Sequence, residues 1–160
     1  MELKDSGNRR EFTTGAVRDI GDGKGRCDLL PLSVIADMAN DTILLRIDQY
    51  IRSGNKTSLV TAIETFAAKQ YGDLYTAMLE VSKHYEDGCN KYGERNWEQG
   101  IPIHCYIDSA VRHYIKHMRG DTDEPHDRAF MWNILGALWT HDYKPECRDL
   151  PFSDKEVNHD

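Results

Sequence analysis

The 160-residue chain has no apolar run approaching the ~20 residues that a helix needs to cross a bilayer, so no membrane span is expected. Met1 to Arg10 are polar and of mixed charge, without the apolar stretch of an export signal, and a cytoplasmic location is expected. The four cysteines, Cys27, Cys89, Cys105 and Cys147, form no CxxC pair and no short-loop framework. They read as reduced, buried thiols rather than zinc ligands or a disulfide set. Positive charge is scarce: 20 Lys and Arg against 27 Asp and Glu leave a net charge of −7. That balance argues against a nucleic-acid partner, which calls for a basic face. The GxxxxGK[ST] spacing of a P-loop is missing, as are an internal repeat and any strand-like alternation of period two.

What is present is an ordinary globular composition, 39% hydrophobic and 29% charged, with stripes at helical spacing. Residues 1–30 hold Gly7, Gly15, Gly21, Gly23 and Gly25 among charges and read as an irregular arm. Helical pattern begins at Pro31. Ile43, Leu44, Ile47, Tyr50 and Ile51 predict one helix stopped by Gly54; Ala62, Ile63, Phe66 and Ala67 predict a second that ends before Gly72. Asp73 is a candidate N-cap for a third, with Leu74, Ala77, Met78, Val81 and Tyr85 inward, running to Tyr92. Ile103, Ile107, Ala110, Val111, Tyr114 and Met118 mark a fourth that ends at Gly120. The fifth starts near Asp123-Glu124-Pro125 and carries Phe130, Met131, Ile134, Leu135 and Leu138. The expected fold is all-α: a bundle of about five helices in one domain over residues 31–145, with a loose tail at 146–160.

Polar residues crowd the last three helices. Glu86, Asp87 and Asn90 sit on the third, Asp108, Arg112 and His113 on the fourth, and Asp123, Glu124, His126, Asp127 and Asn133 on the fifth. Carboxylates from several helices of a bundle can converge on a hard cation. Each also has a plainer reading: Asp108 with Arg112 as an i,i+4 pair, Asp123 and Glu124 as caps, Glu86 and Asp87 as solvated. Two basic groups suit phosphate. Lys24-Gly25-Arg26 is a glycine-flanked cationic loop, and Lys91 to Trp97 joins Lys91, Arg95 and Asn96 to Tyr92 and Trp97, whose rings can stack on a base. Loop closure over the core is the plainer role for Trp97.

Four stretches in order carry a resemblance. They are GAVRD at 15–19 with GKGRCDLLP at 23–31, HYEDGCNKYGERNWEQGIP at 84–102, IDSAVRHYIKHMRGD at 107–121, and DEPHDRAFMWN at 123–133. Through them the chain resembles the phage-type dATP/dGTP diphosphohydrolases, relatives of the MazG-like all-α nucleoside triphosphate pyrophosphohydrolases that include MazZ. Residues 40–72 contribute little to the likeness and look like a helical insertion. The resemblance implies cleavage of a purine deoxynucleoside triphosphate to monophosphate and pyrophosphate, self-association into a homo-oligomer, and Mg²⁺, with Mn²⁺ as its substitute. By position, Glu86, Asp108, Asp123 and Glu124 become metal ligands, with Glu86, Asp108 and Glu124 catalytic. Lys24, Arg26, Lys91, Arg95, Asn96, Trp97, Arg112, His113, His126 and Asn133 become substrate contacts. The relatives' EExxE and ExxD pattern is only approximated by Glu86-Asp87-x-x-Asn90 and Glu124-x-x-Asp127. Two alternatives compete. One is an HD-type phosphohydrolase releasing tripolyphosphate, built on His126-Asp127 and His141-Asp142 with His84 or His113; the other is a non-catalytic helical interaction protein.

Overall fold

Short polar side chains open the middle helices of the chain, which a computed structural model describes over residues 5–157. Asp41 accepts a hydrogen bond from Leu44 N–H at 3.0 Å, Asn55 from Thr57 N–H at 3.0 Å, and Asp73 from Thr76 N–H at 2.8 Å. Each satisfies a donor that has no partner inside the helix. In chain order the elements are β1 (Arg9–Glu11), β2 (Val17–Asp19), α1 (Leu32–Ala39), α2 (Thr42–Ser53), α3 (Lys56–Tyr71), α4 (Leu74–Tyr92), α5 (Ile103–Arg119), α6 (His126–Tyr143) and α7 (Pro151–Val157). Short 3-10 turns occupy Cys27–Leu29, Asn96–Gln99 and Pro145–Cys147. The all-α bundle expected from the sequence is the observed architecture, with two small helices, α1 and α7, beyond the five read from the stripes.

The core is one continuous cluster. The pair α5 and α6 forms its spine, with α4 packing against α6 and α3 linking both sides. Close approach of α5 and α6 depends on Gly136, where a Cβ would come within 2.7 Å of Tyr106 Cζ. Residues 40–72 are α2 and α3, and they are integral to this core: Ile47, Tyr50 and Leu59 are fully buried, and Phe66 stacks obliquely on Phe130 with centroids 4.7 Å apart.

The structure differs from the sequence reading in several places. The arm is not irregular throughout. Residues 9–19 form an antiparallel hairpin with Arg9 opposite Asp19, Arg10 opposite Arg18 and Glu11 opposite Val17. Strands of three residues are too short for a period-two pattern to show. The tail is not loose up to residue 157. Leu150 and Phe152 are buried, and the Phe152 ring meets Tyr50 edge-on at 5.3 Å. Gly54, at φ 70°, lies so close beneath that ring that a Cβ there would stand 2.7 Å from Phe152 Cδ2. Residues 1–4 and 158–160, the outer ends of the arm and tail, lie outside the described residues. Leu74 and Met118, taken as inward, are 38% and 62% exposed, because each sits at the end of its helix where the neighbouring elements no longer cover it. No helix among the described residues is long and apolar enough to cross a membrane.

Candidate functional site

The hairpin, the second half of α4, the 96–99 turn, α5 and the start of α6 enclose a cleft of ≈ 420 Å³. That volume lies in the range of small-molecule sites. Asn96 fixes the hairpin as its lid. Val17 N–H donates to Asn96 Oδ1 at 2.8 Å, and Asn96 Nδ2 donates to the Val17 carbonyl at 2.7 Å. One amide thus pairs with the outer backbone of β2 on both sides, and this buried side chain is a structural clamp.

The clamp brings Arg18 inward. Its guanidinium lies 5.4 Å from the Tyr106 ring centroid and 5.6 Å from that of Trp132. Nη2 donates to Asn133 Oδ1 at 2.7 Å, while the buried Nη1 has no hydrogen-bond partner among the described residues. Asn133 is itself oriented by donating from Nδ2 to the Ala129 carbonyl at 2.8 Å. A buried cation with one unanswered donor on the wall of a cleft is suited to an anionic or carbonyl oxygen.

Asp108 and Arg112 close the opposite edge. Arg112 Nη2 reaches Asp108 Oδ2 at 2.6 Å and donates to the Gly25 carbonyl at 2.7 Å. Asp108 Oδ1 also accepts from Cys27 N–H at 2.6 Å. The pair is therefore a clasp that holds the 23–29 segment on α5, and Asp108 is occupied by structural partners although it lines the cleft.

Of the residues expected from sequence, Lys24, Lys91, Arg95, Asn96, Trp97, Asp108, Arg112, His113, Glu124 and Asn133 line this one cleft. Lys24 pairs with Asp19 at 3.0 Å, and Arg95 with Glu98 at 2.7 Å on the exposed rim. Four residues are placed otherwise. Arg26 faces a neighbouring groove and grips Asp28 through two bonds of 2.9 and 2.8 Å. Glu86 is exposed, whereas Asp87 lines the cleft, so the facing of α4 is displaced by one position. His84 is the cause: it is buried, and residues three, four and seven further on, Asp87, Gly88 and Lys91, share its face. Asp123, which is exposed, and His126, which is buried, do not line the cleft. The four carboxylates expected to hold Mg²⁺ thus do not converge within one chain.

Histidines lie where that cage was expected. His126, 2% exposed, directs Nε2 to Asp123 Oδ1 at 2.8 Å and Nδ1 to His113 Nδ1 at 2.9 Å. Glu124 Oε2 is 3.9 Å from His126 Nδ1. Burial, reinforced by the neighbouring His126, holds His113 well below the ordinary imidazole value. His84, against Trp132 with centroids 5.6 Å apart, is pushed down to about 3, again chiefly by burial.

The paired His-Asp dyads do not assemble. Asp127 accepts from the Tyr71 hydroxyl, His141 Nδ1 is bonded to Tyr50 Oη at 2.8 Å, and Asp142 pairs with Lys56 at 2.6 Å. His141 and Asp142 line neither the cleft nor each other's partners, and the HD arrangement is absent among the described residues. Sequence reasoning missed Arg18, His84, Asp87 and Trp132 as cleft residues. The signal for three of them was the face shared by positions 84, 87, 88 and 91, together with the arginine inside GAVRD.

Residues 74–149 match the family described as dATP/dGTP diphosphohydrolase, N-terminal. That span runs from the start of α4 through α6, and leaves out the hairpin and α1 to α3. No curated protein and no solved structure matches the chain.

Proposed function

We propose, from the match of residues 74–149 to the dATP/dGTP diphosphohydrolase family, that the chain hydrolyses dATP or dGTP to the monophosphate and pyrophosphate. The observation that carries the reading is the pairing, in one cleft of an acidic chain, of an aromatic wall with converging cations. Tyr85, Trp97 and Trp132 supply the wall, and Arg18, Lys91 and Lys116 the cations, beside Lys24 and Arg112, whose charge is shared with Asp19 and Asp108. A purine binds the former by stacking and a triphosphate the latter by charge-assisted hydrogen bonds.

In the reaction the oxygen of water bonds to the α-phosphorus. The bond from that phosphorus to the α–β bridging oxygen breaks, and its electron pair leaves with pyrophosphate. Asp87, on the cleft face of α4, accepts the proton lost by the water. Negative charge builds on the leaving group, where fixed cations are worth most because they need no rearrangement as it forms. The carboxylates do not form an Mg²⁺ cage within one chain, so no step is routed through one.

Self-association is part of the same proposal. Leu29, Val34 and Met38 expose 69%, 55% and 83% of their surface along the segment from the 27–29 turn to α1, an apolar strip suited to a second copy. The reading is tested by incubating the purified chain with each deoxynucleoside triphosphate, with and without thorough chelation, and identifying the phosphate product. Pyrophosphate from dATP or dGTP is the expected result. Tripolyphosphate, or no turnover of any of the four, refutes it.

A further inference from the structure

We propose that His113, His126 and Glu124 form a site for one divalent transition ion of the borderline class, Zn²⁺ or Co²⁺, rather than for Mg²⁺. The proposal concerns ion binding and stands whether or not the chain hydrolyses nucleotides.

The three side chains come from separate places: His113 from α5, Glu124 from the loop before α6, and His126 from the first position of α6. One donor atom from each lies within 4.8 Å of the others. The two Nδ1 atoms are 2.9 Å apart and His126 Nδ1 is 3.9 Å from Glu124 Oε2. A tetrahedral ion with bonds of ~2.0–2.1 Å separates its ligands by about 3.3 Å, a spacing that falls between the 2.9 and 3.9 Å at which His126 Nδ1 stands from the other two donors.

Protonation favours the same arrangement. His126 Nε2 faces the Asp123 carboxylate at 2.8 Å, which fixes the proton there and turns the bare lone pair of Nδ1 inward. A carboxylate behind a ligating imidazole is the usual second layer of such sites. Between the two facing Nδ1 atoms only one proton fits. In the metal-free protein His113 donates that proton; on metal binding it moves to Nε2 of the same ring, and Nδ1 becomes a ligand. The exchange is neutral.

Donor chemistry and access decide which ion. Two imidazoles and one carboxylate suit borderline transition ions, whereas Mg²⁺ takes oxygen ligands in near-octahedral geometry. Glu124 and His126 are buried, at 9% and 2% exposure, while His113 and Glu124 also line the cleft. An ion held by three protein ligands there keeps its remaining positions open to the cleft, for water or a phosphate oxygen. A rival grouping of Asp121, Asp123 and His126 exists on the outer side. The Asp123 side chain is 41% exposed against 8% for Glu124, which makes that grouping the weaker one.

The test uses the full chain, stripped of metal and titrated with Co²⁺, read by calorimetry and by the visible absorption of the ion. Stoichiometric binding with a spectrum of a nitrogen-containing low-symmetry site is expected, undisturbed by millimolar Mg²⁺. Glu124→Gln and His113→Gln should each weaken binding at least about 100-fold, and Asp123→Asn about 10- to 100-fold by releasing His126. His113 is only half-buried, so His113→Gln keeps the test open if substitution of the buried His126 unfolds the chain. No binding by wild type, displacement by Mg²⁺, or binding lost in Asp121→Asn and retained in His113→Gln overturns the proposal.

Discussion

Arg18→Met separates binding from stability at the centre of the cleft. The substitution keeps most of the side-chain length between Tyr106 and Trp132 and removes only the charge and its donors. Three terms set the effect on stability. Two cation–π contacts disappear, at roughly 0.5–1 kcal/mol each. Asn133 Oδ1 loses the 2.7 Å bond from Nη2 and stays buried, at about 1–3 kcal/mol. Against these, an enclosed guanidinium no longer has to be desolvated, a penalty of the order of several kcal/mol per buried ion. The terms nearly cancel. A net change within about 2 kcal/mol is expected, or a shift in thermal midpoint of no more than roughly 4–8 °C for a domain of this size. Nη1, by contrast, has no hydrogen-bond partner among the described residues, and a hydrogen bond from a charged donor to substrate contributes about 1.5–3 kcal/mol. Steady-state assay with dATP and dGTP should therefore show kcat/KM lower by about 10- to 150-fold. Arg18→Lys should not restore it, because an ammonium lacks the planar fork that reaches Asn133 and the cleft together. Loss of more than about 4 kcal/mol by urea denaturation, with kcat/KM unchanged, would show that Arg18 only supports the hairpin.

Three further outcomes are expected. Asp87→Asn should lower turnover by about 100-fold while Glu86→Gln leaves it near wild type, because only Asp87 faces the cleft; equal rates in both variants would remove α4 from the chemistry. Asp108→Ala strands Arg112, whose Nη2 pairs with Asp108 at 2.6 Å, and breaking such an ion pair costs roughly 3–5 kcal/mol. Urea titration should report a loss of that size, and a loss below about 1 kcal/mol would mean that the clasp adds nothing. His84 lies far below its ordinary value of 6.5, at about 3, so as pH falls through 6.5 the unfolded chain takes up the proton first. Its contribution is full above pH 6.5 and is lost progressively down to about pH 3. Urea midpoints for His84→Phe should therefore fall less steeply across this window than those of wild type.

Much of the bundle follows from local rules that act within a few residues. Asp73 and Gly120 bound α4 and α5 because a carboxylate closes the first turn and a glycine accepts the left-handed C-cap, and the Ile103–Tyr114 stripe is buried because helical spacing puts it on one face. The likeness to the family that matches residues 74–149 could also be read in the sequence, through motifs whose order survives without any geometry. The hairpin, the packed tail and the cleft were decided elsewhere. Three-residue strands have too little pattern to announce themselves, and they exist because Asn96, 79 residues from Val17, completes their edge. Phe152 is buried because it lies over Gly54, a contact between distant parts of the chain. At the site the same division holds. Sequence placed ten of the expected residues around the cleft, yet could not tell Glu86 from Asp87, since one step along a helix turns a side chain by about 100° and only the burial of His84 sets which of the two faces inward. Nor could it distinguish a carboxylate free to act from one already held: Asp108 is engaged by Arg112 and by the backbone of Cys27, 81 positions away. Spacing fixes which residues share a helix face; what lies opposite that face depends on long-range packing, and there the chemistry is chosen.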